Sequence, residues 1–263
     1  MLKEFKSNIK ILFIYLIIIV SCNNSSAEER VNLLKNKWSF EGLFGTFDRA
    51  SLRRGYQVYN EVCSTCHSIK LLSYRNLSEK GGPEFSLESA KNIAASFEVI
   101  DGPNSEGEMF SRPGRLSDKF VKPYPNIRAA EAANGGAYPP DMSVLAKARK
   151  GGANYIYSIL LGYDDPPEDF KLDDGVYYNK YMSGHNIKMP NALSDGLLDY
   201  ADGTEATVQQ MAKDIATFLT WASEPSLEAR HKMGFKVILY LIVLGILVYF
   251  SMKRLWSRIE TKE

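Results

Sequence analysis

Apolar positions along the chain fall into two continuous runs near its ends and a set of spaced patterns between them. The first run covers residues 11–20 and follows Lys3, Lys6 and Lys10. Small and polar residues come next, up to Ala27. A basic start, a short apolar stretch and a small-residue exit predict an export signal over residues 1–27, cleaved after Ala27. The run is too short to span a bilayer. Ile19-Val20-Ser21-Cys22 also fits a bacterial lipoprotein cleavage box, so Cys22 is either lipidated or lost with the leader. The leader is neither Arg-rich nor amphipathic, which favours a bacterial over a mitochondrial presequence.

The second run, residues 237–252, holds no charge, and extension to Met233 adds only Lys236. Twenty helical residues reach roughly 30 Å, one hydrocarbon thickness. Residues 233–252 are therefore predicted to span a membrane. Lys253, Arg254 and Arg258 follow, and the positive-inside rule puts residues 253–263 in the cytoplasm. Tyr249 and Trp256 suit that interface. The exported domain is then residues 28–232.

Inside that domain the periodicity is mainly helical. Asp48 stands before Leu52, Tyr56, Tyr59 and Val62, which share one helical face. Residues 84–97 read as a second helix. Residues 143–161 read as helix broken at Gly151-Gly152. Residues 204–223 form an amphipathic helix with Val208, Met211, Ile215, Phe218 and Leu219 on one face. Residues 100–140 and 162–195 are rich in Gly, Pro, Asn and charge and read as long loops. Loops of that length in a small domain are held by something other than their own ladders.

Charge changes the picture. The chain carries a net +1 over 263 residues, which argues against a nucleic-acid binder. That figure averages +2 over residues 1–10, +3 over residues 233–263 and −4 between them. The exported part is acidic. Residues 92–111 carry Glu98, Asp101, Glu106 and Glu108 and no Lys or Arg. Residues 164–174 carry Asp164, Asp165, Glu168, Asp169, Asp173 and Asp174 against Lys171 alone. One of these runs is expected to steer a basic partner.

Cys63-Ser64-Thr65-Cys66-His67 is the motif that carries chemistry. Two thiols one turn apart, followed by histidine, read as a site of covalent haem c attachment. The thiols meet the two vinyl groups, and His67 is placed to ligate the iron. A zinc site needs four ligands, and the only other cysteine is Cys22. A thioredoxin-like pair needs a βαβ setting that the pattern lacks. One motif means one haem. The second axial position has several candidates: Met109, Met142, Met182, Met189, Met211 and His185. Met189 stands out because Pro190 drives it to an extended conformation in a loop. An open position would instead make a gas sensor. No nucleophile or acid–base constellation is apparent, so no separate catalytic site is expected.

The chain resembles the cytochrome c1 family. The residues that carry this include Trp38-Ser39-Phe40-Glu41-Gly42, Phe47-Asp48-Arg49-Ala50, the run through His67, and Gly81-Gly82-Pro83-Glu84-Phe85. They continue with Asp101-Gly102-Pro103-Asn104, Gly107-Glu108-Met109-Phe110, Arg112-Pro113-Gly114, Pro139-Pro140-Asp141-Met142-Ser143 and Arg149-Lys150-Gly151-Gly152. Residues 155–163, Met189-Pro190 and the C-terminal run complete it. The resemblance implies a mainly α cytochrome c-type haem domain with long loop insertions and one C-terminal transmembrane helix. It implies His67 and Met189 as axial ligands, Arg149 at a haem propionate and Tyr155 nearby. It also implies a subunit of the bc1 complex, ubiquinol–cytochrome c reductase, in a bacterial inner membrane with the haem domain on the periplasmic side. The partners implied are cytochrome b, the Rieske iron–sulfur protein and a soluble or anchored cytochrome c. The disulfide of some bacterial members lacks its cysteines here. The alternative is a free-standing, membrane-anchored mono-haem shuttle.

Overall fold

The computed structural model describes residues 31–260, and the chain from Leu33 onward forms one unit. The leader expected over residues 1–27, with Cys22, lies outside the described residues.

Helix α1, Arg49–Glu61, starts where the Asp48 carboxylate accepts from the amides of Ala50 and Ser51. It buries Leu52, Tyr56, Val58 and Tyr59. Its partner is α6, Val208–Ser223, in which Thr207 caps the amide of Gln210. The two helices approach closely at Gly55, where a Cβ would stand 2.2 Å from the carbonyl oxygen of Asp214. Only glycine permits that crossing. The expected apolar face of α6 is inside: Met211, Ile215, Phe218 and Leu219 are all buried. Trp221, Thr217 and Asp214 are buried too, because other helices cover the remaining flanks of α6.

Asp214 is stabilised by a closed set of partners. Ser51 Oγ donates at 2.6 Å, Arg54 Nε at 2.8 Å and Gln210 Nε2 at 2.9 Å. A buried carboxylate without them would be costly. Around this joint lies an aromatic cluster. Tyr74 stacks on Phe120 at 4.7 Å, and Tyr59 stacks on Phe218 at 5.9 Å.

The second helix is shorter than the pattern suggests. Helix α2 covers Leu87–Ala95, capped by Ser86. Pro83 and the positive φ of Glu84, 53°, hold the chain out of helix before it. After α2 the chain enters a hairpin: β1, Glu98–Asp101, pairs antiparallel with β2, Phe110–Pro113. Within the expected loop of residues 100–140 there is thus a strand pair, and also α3, Ile127–Ala133. Helix α4, Leu145–Ala148, and α5, Ala153–Leu161, are separated at Gly151 and Gly152, both at positive φ. A small pair, β3 Tyr177–Tyr178 and β4 Asn186–Ile187, organises the second long loop.

Helix α7 runs unbroken over Leu227–Glu260, 34 residues or about 50 Å. Its apolar window has a mean hydropathy of 2.3, and none of that window is buried by the fold. It is long and apolar enough to cross a membrane. It begins before the expected span, and its first turn belongs to the domain. Leu227 and Glu228 are buried there. Glu228 receives Arg49 through two bonds of 2.8 Å and the Phe47 amide at 2.9 Å.

Candidate functional site

The motif sits where α1 runs out. The amide of Val62 closes the last helical turn on Val58, and Cys63–Thr65 tighten into a 3-10 turn. The His67 amide then reaches back to the Cys63 carbonyl at 2.8 Å. Cys63 and Cys66 are free, half-buried thiols, one turn apart. Burial pushes the Cys63 thiol up to about 12, with Cys66 adding to the effect. That is opposite to the low-pKa thiolate of a redox dithiol. Among the described residues no three His, Cys, Asp or Glu side chains come together to hold a metal ion.

His67 is buried, and its Nδ1 lies 2.9 Å from the Pro140 carbonyl oxygen. A carbonyl only accepts, so Nδ1 carries the proton and Nε2 keeps its lone pair. Burial lowers the pKa of the ring, which holds it neutral. The carbonyl is itself held in place. Asp141 accepts from Ser68 Oγ at 2.8 Å and from the amides of Lys70 and Ser143, each at 3.0 Å. The Met142 amide bonds the Ser68 carbonyl at 2.8 Å, and Ser143 Oγ accepts from the Leu71 amide at 3.0 Å. Burial favours a protonated Asp141, yet these donors bring its pKa below the ordinary value. Residues 139–143 and 67–71 are thereby laced together. The sequence reading missed this role of Pro140 and Asp141. The adjacency of an orienting carbonyl to the His67 ring is visible only in three dimensions.

The methionine candidates separate. Met142 and Met211 are buried in the core, and Met109 is 61% exposed on the hairpin. Met182 and Met189 are half-buried on the loop beside α5. Tyr163 Oη donates to the Met189 carbonyl at 2.9 Å, while Tyr155 Oη lies 3.7 Å from Met182 Sδ. Tyr155 is thus brought to Met182 rather than to Met189. The loop is stapled by fully buried Asn179, which donates to the Ile159 carbonyl at 2.8 Å and accepts from the Tyr181 amide at 3.0 Å. Arg149 is exposed, and its guanidinium meets the Ala148 carbonyl at 3.3 Å. His185 stays in the loop against Tyr178, with centroids 5.7 Å apart.

The acidic runs are partly self-neutralised. Arg112 grips Asp101 at 2.5 Å and Asp118 at 2.6 Å, and Lys180 pairs with Asp164. Asp101 and Asp118 carboxyls lie below the ordinary range because of the Arg112 guanidinium.

The donor set fits one covalent haem: two thiols a turn apart, followed directly by a buried imidazole with Nε2 free. With one long apolar helix, this defines the chain as a membrane-anchored c-type cytochrome. Comparison with known proteins narrows the class. The model of the cytochrome C1 family matches residues 38–259. A mitochondrial cytochrome c1 haem protein of Arabidopsis thaliana is 48% identical over 90% of this chain and 76% of its own. Cytochrome c1 of Rhodospirillum rubrum is 45% identical over 89% of this chain and 90% of its own. The cytochrome b/c1 of Bradyrhizobium diazoefficiens is 46% identical over 84% of this chain, which spans 35% of that protein's length. The chain belongs to the cytochrome c1 family. It is accordingly a single-pass, membrane-anchored electron-transfer subunit of the bc1 complex and carries a covalently bound haem c.

Proposed function

We propose that this subunit takes one electron from the Rieske iron–sulfur protein and hands it to a soluble or anchored cytochrome c, seated beside cytochrome b. Bound haem supplies a one-electron iron couple. The residues of the chain hold and tune it. Cys63 and Cys66 provide the two thioether links. His67 Nε2 and Met189 Sδ would ligate the iron, and Arg149 and Tyr155 would meet the propionates. The carrying observation is the bond from His67 Nδ1 to the Pro140 carbonyl. It fixes a neutral ligand imidazole one residue beyond the thiol pair.

In this reading residues 1–27 are the removed leader, residues 28–232 the periplasmic haem domain, residues 233–252 the span in a bacterial inner membrane and residues 253–263 the cytoplasmic tail. The basic residues Lys253, Arg254 and Arg258 support that direction. Five acids of the second run, Asp165, Glu168, Asp169, Asp173 and Asp174, have no ion-pair partner among the described residues. Neither have Glu98, Glu106 and Glu108 of the first. Both surfaces can therefore attract a basic cytochrome.

Detergent extraction of the native membrane followed by purification on a tag at this chain tests the reading. A cytochrome b and an iron–sulfur protein in the same peak are expected. A haem protein that purifies alone, with no loss of quinol oxidation from the remaining membrane, would contradict it.

A further inference from the structure

Leu43 and Phe44 are 80% and 73% exposed, the most exposed large apolar side chains among the described residues. Both sit at the tip of a tight turn over residues 42–45, closed by the Gly45 amide on the Gly42 carbonyl at 3.3 Å. Two apolar residues set side by side at such a tip are costly in water and call for a cover.

The turn is rigidly mounted. The Thr46 amide bonds the Ser39 carbonyl at 3.0 Å, Trp38 stacks on Phe40, and Phe40 meets Phe47 at a tilt. At Gly45 a Cβ would stand 2.3 Å from the Phe40 carbonyl group, so only glycine closes the turn in this shape. Its base is tied to α7. The Phe47 amide donates to Glu228, and His231 Nδ1 lies 3.2 Å from the Gly45 carbonyl, to which it donates. The tip therefore stands beside the anchor helix and does not fold under the domain.

Its height along that helix is given by one contact. The Phe44 ring meets Phe235 edge-on, with centroids 5.8 Å apart. Phe235 lies at the start of the apolar stretch, between exposed Lys232 and Lys236. Lysines at that level match the phosphate layer, with the aromatic ring just below it. Residues 42–45 carry no charged or hydrogen-bonding side chain.

We propose that this turn is a second membrane contact, in which Leu43 and Phe44 enter the boundary between headgroups and acyl chains beside α7. Two separated insertions, a helix and a turn, fix the angle at which the domain stands on the bilayer; a single helix leaves it free to swing. Lipid is the cover the observations favour, because the turn meets α7 at Phe235, where the apolar stretch begins, and has the composition of an interfacial insertion.

The test uses the full-length holoprotein, reduced, in vesicles of phosphatidylethanolamine and phosphatidylglycerol. Leu43→Cys, in a Cys22→Ser background, carries a nitroxide; Cys63 and Cys66 are occupied by the haem. Leu43 is so exposed that the change leaves the fold intact. The expected result is a several-fold lower collision rate with a water-soluble nickel chelate than for the same label at Glu106→Cys, and a higher one with oxygen. Equal accessibility at the two positions would overturn the proposal. So would protection that arises only after the other membrane subunits are added, since protein would then be the cover.

Discussion

Pro140 places its backbone carbonyl 2.9 Å from His67 Nδ1, across 73 residues of chain. This contact decides which imidazole nitrogen is protonated and which is left as a donor. An Nδ1–H that is held by an acceptor also makes Nε2 a stronger base. The Pro139-Pro140-Asp141-Met142-Ser143 segment is thus the support of His67, the histidine proposed as ligand.

Asp141 locks that support, so its removal should be felt at the haem. Asp141→Ala takes away an acceptor for Ser68 Oγ and for two amides. The expected loss is about 1.5–3 kcal/mol of stability, read from the denaturant midpoint. A looser Nδ1–H bond weakens His67 as a donor and raises the haem midpoint potential in a redox titration. A variant that is destabilised with an unchanged potential would separate Asp141 from the ligand.

Glu228 joins the anchor helix to the domain, and the joint should be acid-sensitive. Burial works to raise its pKa, but Arg49 and the Phe47 amide overcome this and hold it below the ordinary 4.5. A depressed carboxyl stabilises the fold above its unfolded value and loses that contribution as pH falls through the folded one. Glu228→Gln should therefore cost about 1.5–3 kcal/mol at neutral pH. As pH falls below the ordinary carboxyl value of 4.5 and through the lower folded one, the variant and the natural protein should converge in thermal unfolding. A constant difference across that window would show that charge is not the source.

Steering should depend on the acids that have no ion-pair partner among the described residues. Glu98→Lys, Glu106→Lys and Glu108→Lys together should slow reduction of a basic cytochrome c at low salt. The effect should vanish as ionic strength rises. Asp101 is left in place because Arg112 needs it to hold the hairpin. An unchanged salt profile would remove this surface from docking and leave residues 164–174.

The helical frame was legible because its signals are local. Asp48 as a cap and Leu52, Tyr56 and Tyr59 as a face mark α1, and Gly151-Gly152 marks the break between α4 and α5. The region over 84–97 reads too long because the apolar spacing continues through residues whose backbone cannot. Glu84 is left-handed, and Ser86 caps a helix that starts at Leu87. The hairpin of β1 and β2 escapes notice because neither strand alternates buried with exposed apolar residues. It is fastened by the ladder and by Asp101 with Arg112.

The site divides the same way. Cys63, Cys66 and His67 are contiguous and so announce themselves. Pro140 and Asp141 act across more than 70 residues, and Asn179 acts on Ile159 from the far side of a loop. Asp214 reads as one polar residue on α6, yet it is fully buried between Arg54, Ser51 and Gln210. No periodicity reveals such partners, because their meaning lies in what the fold brings to them.

Carbon monoxide added to the reduced, full-length holoprotein tests the central claim, that His67 and Met189 close both axial positions of the haem. The natural protein and Met182→Leu should keep their spectra unchanged, while Met189→Leu should bind the gas with its haem still covalently attached. Binding by the natural protein, or by Met182→Leu with Met189→Leu unaffected, would contradict the account.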